Sequence, residues 1–155
     1  MHFFRSFFCA LQGIGYGIRQ ERHVRVHLAA AFYVLAASFF FSFSPTQYAI
    51  LFLIIGVVIA LELVNTALER VVDEISMERR PTLKVIKDVA AGAVLVAAIA
   101  AVAIAVALFC QPTGWERMFA FFSAQPWWLL VIAVSLVGSF LFVWKGGTSN
   151  QRKKK

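Results

Sequence analysis

The chain has 155 residues, of which 61% are hydrophobic and 15% charged, with a mean hydropathy of +0.77. Soluble domains carry about 45–50% apolar and about 25% charged residues, so a water-soluble globular protein and a disordered one are both excluded. The net charge of +7 does not point to nucleic acid, because the basic residues stand between the apolar stretches or at the chain ends, as the positive-inside rule requires.

Residues 1–20 have the pattern of an amphipathic helix. At 100° per residue Phe3, Phe4, Phe7, Phe8, Leu11, Ile14 and Ile18 fall within about 140° of one another, the stripe of a helix lying in the membrane interface. No small-residue cleavage site marks it as a secretory signal. Gly13, Gly15 and Gly17 imitate a phosphate loop, but no strand precedes them, and close packing or a hinge is the better reading. His23 and His27 are spaced i, i+4 without a third ligand and are read as interfacial polar residues rather than a metal pair. Cys9 and Cys110 stand in no CxxC motif.

Four apolar stretches follow. Leu28–Phe43 is uncharged and short for a span, and Ser44-Pro45-Thr46-Gln47 has the composition of a tight turn. The run Tyr48–Leu61 covers only about 21 Å as a helix, less than a hydrocarbon core needs. Its helix must therefore continue through Glu62 and Asn65, which draws polar groups into the membrane edge. Val89–Phe109 is a third span of 21 residues, 10 of them Ala, and such small side chains permit close helix approach in lipid. Trp127–Trp144 is the fourth, with tryptophan at both ends as an interfacial belt.

Residues 1–27 hold 4 basic residues, the 70–88 region 5 and the tail from Lys145 another 5, whereas the loops 44–47 and 110–126 hold none and 1, Arg117. This bias puts both termini and the middle loop in the cytoplasm. Residues 110–126 become an extracytoplasmic loop, and Arg152-Lys153-Lys154-Lys155 an anchor for anionic lipids.

Of the 8 acidic residues, Glu116 alone is assigned to the outer side. The densest group is Glu62-Leu-Val-Asn65-Thr66-Ala-Leu-Glu69-Arg-Val-Val-Asp73. On a helix Glu62, Asn65, Glu69 and Asp73 lie at about 0°, −60°, −20° and +20°, one polar ridge at the end of a span. Ionisable groups at that depth are costly and usually functional. The bland alternative is an interhelical salt-bridge ladder with Arg25 or Lys87. Carboxylates set against cations suit Mg²⁺ with bound phosphates, since Mg²⁺ takes one or two carboxylates and fills its shell with water and phosphate oxygen. Glu21, sharing a helix face with Arg25, is a second acid source, and Lys84, Lys87 and Asp88 stand just before the third span. No Walker A or protein-kinase glycine loop is present.

At these residues the sequence resembles the small bacterial integral-membrane lipid kinases, the prokaryotic diacylglycerol kinase and undecaprenol kinase family. That family's signature Glu-x-x-Asn-(Ser/Thr)-Ala-x-Glu-x-x-Val-Asp is complete here as Glu62-Leu-Val-Asn65-Thr66-Ala67-Leu68-Glu69-Arg-Val-Val72-Asp73. Two further blocks match in order and spacing: Glu21-Arg-His-Val-Arg25-Val-His27, and Lys87-Asp88-Val-Ala-Ala91-Gly92-Ala93-Val94-Leu95. The resemblance covers about residues 5–109.

The resemblance implies an all-α integral membrane protein with an N-terminal surface helix and a three-span kinase core, assembled as a homotrimer with active sites shared between subunits. It assigns Glu62 as catalytic base and Glu21 and Glu69 as the acids holding magnesium on the nucleotide. Glu69, Lys87 and Asp88, with Glu78, Arg79 and Arg80 in the loop, fall at nucleotide-contacting positions, while Arg25, Asn65 and Asp73 bind substrate or support the site. Where the family's loop often carries Glu-Tyr-His, this chain has Glu78-Arg79-Arg80.

The expected architecture is a kinase domain over 1–109, followed over 110–155 by an extracytoplasmic loop, an extra transmembrane helix and a basic cytoplasmic tail without counterpart in the minimal family. That fourth span carries no ionisable group between Pro126 and Lys145 and is expected to be dispensable for chemistry. The expected activity is ATP- and Mg²⁺-dependent phosphorylation of a lipid alcohol at the cytoplasmic face of the bacterial plasma membrane. The glutamate-to-histidine block favours undecaprenol over diacylglycerol as the substrate. A non-catalytic proton or cation relay would need polar residues through the whole membrane depth, but the acids stop at one face. A degenerate relative is disfavoured by the complete signature.

Overall fold

The computed structural model describes residues 2–75 and 81–145, with the side chains of His2 and Phe3 left aside. Six helices follow in order: α1 (His2–Gln20), α2 (Arg22–Ser38), α3 (Pro45–Ile75), α4 (Pro81–Phe109), α5 (Pro112–Ala124) and α6 (Trp127–Lys145). The described residues contain no strand. The protein is an all-α membrane protein.

Local chemistry explains the breaks. Glu21 is extended (φ −104°, ψ 123°) and separates α1 from α2. At the far end of α2 the Ser38 hydroxyl turns back to donate to the Leu35 carbonyl at 2.7 Å. A run of phenylalanines then forms the turn into α3. The expected tight turn at 44–47 is instead the start of α3. The Ser44 hydroxyl accepts from Gln47 N–H at 3.3 Å, and the Gln47 side chain accepts from Ser44 N–H at 2.7 Å. This reciprocal capping box satisfies two orphan donors, and Pro45 occupies the first helical position, where its missing N–H costs nothing.

As the length of its apolar run requires, α3 continues past Glu62 and ends at Ile75. It makes its most extensive contacts with α4, whose alanines allow close approach. A thin core of Leu51, Val58, Val94, Ala97 and Leu108 is buried within the chain, while large apolar residues such as Leu53, Leu95, Val96 and Leu130 face outward. That inverted distribution belongs to helices solvated by lipid.

Three helices, α3, α4 and α6, are long and apolar enough to cross a membrane. The four expected spans are thus three by this measure. Helix α2 has 17 residues and begins with Arg22, His23, Arg25 and His27, so its apolar part is short. A second difference concerns 110–126, expected as a loop, most of which is α5. Pro112 stands in its first turn, and Gly114 lies against the Phe41 ring so closely that a Cβ there would collide with it. Phe41, Phe43, Phe109 and Trp115 pack edge to face around this point.

Helix α6 buries no residue, and polar contacts hold it on α2. The Tyr33 hydroxyl shares hydrogen bonds with Ser135 Oγ (3.1 Å) and Ser139 Oγ (2.9 Å). The Arg22 guanidinium lies 5.0 Å from the centre of the Trp144 ring. Arg25, 1% exposed, donates to the Val143 carbonyl at 3.3–3.4 Å, and also to the carbonyls of Ile18 (2.8 Å) and Arg19 (3.0 Å). One guanidinium fork thus closes the C-terminal ends of two helices, where carbonyls lack partners and the dipole is negative.

Ending the chain at Phe109 removes the partners of Tyr33 and one of the three carbonyls held by Arg25. The expected result is a lower melting temperature in detergent with the specific activity of the folded fraction near that of the full chain. An unchanged melting temperature would show that these contacts contribute no stability.

Candidate active site

Helix α3 supplies the polar ridge, and it points into the protein at only one level. Glu62 is 5% exposed and, among the described residues, is the one buried acid. An unpaired carboxylate at that depth is costly. His27 from α2 meets it, with Nε2 3.0 Å from Glu62 Oε1. One turn on, the Thr66 hydroxyl donates to the Glu62 carbonyl at 2.9 Å. It is therefore satisfied along its own helix.

Asn65 Nδ2 donates to Glu69 Oε1 at 3.0 Å, which fixes both side chains on one face. Asn65 Oδ1 is buried and has no hydrogen-bond partner among the described residues. Buried polar atoms are almost always paired, so this carbonyl oxygen is a free hard donor beside a carboxylate. Glu21, at the α1–α2 junction, accepts from Arg70 of α3 at 3.5 Å. The same Arg70 guanidinium lies 5.7 Å from the centre of the Tyr16 ring on α1, within cation–π range. Farther along, Lys87 of α4 donates to Asp73 at 2.5 Å, and Asp88 is exposed one residue on.

Two cavities flank the ridge. One of about 620 Å³ lies between α1 and α3, lined by Gly13, Tyr16, Gly17, Leu63, Thr66 and Arg70. Gly17 lets α1 settle on α3, because a Cβ there would collide with Leu63; close packing is the reading that holds for Gly17, whereas Gly13 and Gly15 have open space about them. The other, about 320 Å³, lies among α2, α3 and α4 and is almost wholly apolar, with His27 at one end and Val34, Leu51, Val58, Ala98 and Ala105 along its walls.

The expected site residues therefore divide. Glu62, Asn65 and Glu69 share the α3 ridge, Glu21 approaches it through Arg70, and Asp73 with Lys87 links α3 to α4. Arg25 is present at the junction, but its guanidinium is spent on backbone carbonyls rather than on an acid or an accessible substrate. Its contribution is support. Glu78, Arg79 and Arg80 lie outside the described residues. His27, Thr66, Tyr16 and Arg70 were not singled out from the sequence as site residues. For His27 the available signal was a buried acid on α3 that required a partner from another helix.

Among the described residues no group of three or more His, Cys, Asp or Glu side chains gathers as a metal site. Mg²⁺ does not require one, since one or two carboxylates suffice when phosphate completes the shell. Glu69 and Asn65, joined on one face of α3, offer oxygen donors of that kind, while the described contact of Glu21 is with Arg70.

An all-α membrane protein with an acid ridge at one end of its spans is the frame into which the comparisons fall. The family model for prokaryotic diacylglycerol kinase matches residues 8–109. The chain is 43% identical over 107 residues to an undecaprenol kinase of Bacillus subtilis, covering 69% of this chain and 87% of that protein. It is 39% identical over 108 residues to a diacylglycerol kinase of Synechocystis, covering 69% of this chain and 62% of that one. No solved structure matches significantly. The chain belongs to the prokaryotic diacylglycerol kinase family, and it is a membrane-bound phosphotransferase acting on an alcohol. Residues 110–155, with α5 and α6, lie beyond the matched segment.

Replacing Arg25 by Lys keeps the charge but loses the fork that reaches both helix ends. A drop in melting temperature is expected from the loss of buried, charge-assisted hydrogen bonds, each contributing about 1.5–3 kcal/mol. Retention of the wild-type melting temperature would remove Arg25 from the junction's supports.

Proposed function

We propose that the protein is an ATP- and Mg²⁺-dependent undecaprenol kinase. The buried Glu62 carboxylate, met at 3.0 Å by the His27 imidazole that lines one end of the apolar cavity, is the observation that carries this reading. The lipid chain lies in the cavity among α2, α3 and α4, with its terminal hydroxyl beside Glu62. The nucleotide approaches from the side of α1, Arg70 and Glu69. Glu62 accepts the hydroxyl proton as the lipid oxygen bonds to the γ-phosphorus. The bond from that phosphorus to the β–γ bridging oxygen breaks, and ADP leaves. Such a transfer asks for positioning and charge stabilisation more than covalent chemistry.

Glu21 and Glu69, with Asn65 Oδ1 as a further oxygen donor, would hold Mg²⁺ on the nucleotide. When bound, the ion offsets charge on the phosphates. Lys87 leaves Asp73 to neutralise phosphate charge, and Asp88 shares that end of α4. Glu78, Arg79 and Arg80 complete the nucleotide contacts from the α3–α4 connection. Arg25 and Asp73 keep the surrounding helices in place.

The membrane is the bacterial plasma membrane. Both termini are cytoplasmic, and the C-terminal lysines attract anionic lipids. The functional unit is a homotrimer. Undecaprenol is preferred because the similarity to the Bacillus subtilis undecaprenol kinase is higher and covers more of that protein. Diacylglycerol is the second reading, supported by the Synechocystis relative.

Full-length protein with radiolabelled ATP and a panel of lipid alcohols tests the activity, with the label expected on undecaprenol and less on diacylglycerol. Label on neither lipid would overturn the reading. Glu62→Gln is expected to fold, to bind nucleotide and to lose about 10²–10⁴-fold in turnover; wild-type turnover would exclude Glu62 as base. Glu21→Ala and Glu69→Ala are each expected to move the activity curve to higher Mg²⁺, and curves overlaying wild type for both would reject the metal assignment.

A further inference from the structure

We infer that His27 is the positioning residue for Glu62: its imidazole fixes the orientation of the carboxylate. The inference rests on Glu62 being the base and adds a second residue to that function. Three observations carry it. Glu62 is 5% exposed. His27 Nε2 stands 3.0 Å from Glu62 Oε1, at hydrogen-bonding distance. The His27 side chain is 26% exposed against 7% for Glu62, so the imidazole links the buried carboxylate to the cavity that it lines.

The contact engages one carboxylate oxygen only. With Nε2–H donating to Oε1, that oxygen is held, and the carboxylate plane can no longer rotate freely. Oε2 is left to receive the proton of an incoming hydroxyl. The apolar cavity that begins at His27 brings a lipid chain to the same place.

The rate depends on the same contact: without the ring the carboxylate plane turns freely and the hydroxyl meets Oε2 less often in line. No other ionisable group intervenes among the described contacts. The α3 partner of His27 is Glu62 itself, and the neighbouring α3 polar pair, Asn65 and Glu69, is hydrogen-bonded internally. Helix α4 contributes Ala98, Ala101 and Val102 to the shared cavity. On α2, Arg25 is turned to the carbonyls of Ile18, Arg19 and Val143, and His23 is exposed.

The test is kcat and KM for full-length wild type, His27→Ala and His27→Gln, with ATP and undecaprenol in detergent. Glutamine places an amide N–H near the position of Nε2. His27→Ala is expected to lose about a hundredfold in kcat, as misplacement of a reacting group does, with KM for ATP within about twofold of wild type. His27→Gln is expected to regain most of kcat. Wild-type kcat in His27→Ala overturns the inference. So does a His27→Gln enzyme that is as slow as His27→Ala. Melting temperatures identify an alanine variant that fails to fold, in which case the kcat of the glutamine variant decides alone. Glu62→Gln separates the two levels: wild-type turnover there removes the base assignment itself, whereas an inactive Glu62→Gln beside a fully active His27→Ala removes only the role of His27.

Discussion

A carboxylate enclosed among helices that cross a membrane is expensive unless something polar meets it. Glu62 is in that position, and the contact with His27 is what makes it tenable. Much of the surrounding arrangement serves this pairing. Helix α2 must start far enough from α1 to bring His27 to the right depth, and α3 must run past its apolar segment to carry Glu62 inward. The extended residue at Glu21 sets the first condition, and the capping box at Ser44 and Gln47 helps set the second by fixing where α3 begins.

The α1–α2 junction is the second organising point. Arg25 binds carbonyls from α1 and α6 at once, and Arg22 lies over Trp144. The segment beyond the family match thereby grips the protein at the junction that carries Glu21. Chemistry and support are divided along the chain: the matched segment holds the acids, and the appended helices brace the frame.

Much of this was legible from the sequence because it depends on local spacing. The 100° rotation per residue predicts that Glu62, Asn65 and Glu69 share a face, and the length an apolar span needs predicts that α3 continues beyond Leu61. What the sequence could not show depends on how helices meet. His27 and Glu62 are distant in the chain, and their contact exists only because α2 packs on α3. Arg25 looked like a partner for an acid because a sequence displays side-chain charges but conceals unpaired carbonyls. Helix α5 was missed because a segment with few apolar repeats between two spans reads as a loop, although Pro112 and the i, i+4 pair Trp115 and Phe119 were helical signs.

The unequal lengths of α2 and α3 have a consequence for the bilayer. At 1.5 Å per residue the 17 residues of α2 span about 25 Å and the 31 of α3 about 46 Å. The first four polar residues of α2 shorten its greasy part further. Lipids against α2 face a hydrophobic mismatch, which a bilayer relieves by thinning locally. On the proposed reading, thinning there would lower the headgroup plane towards His27, so that a lipid alcohol diffusing in the leaflet would meet the buried carboxylate at its own depth, with its chain still in hydrocarbon.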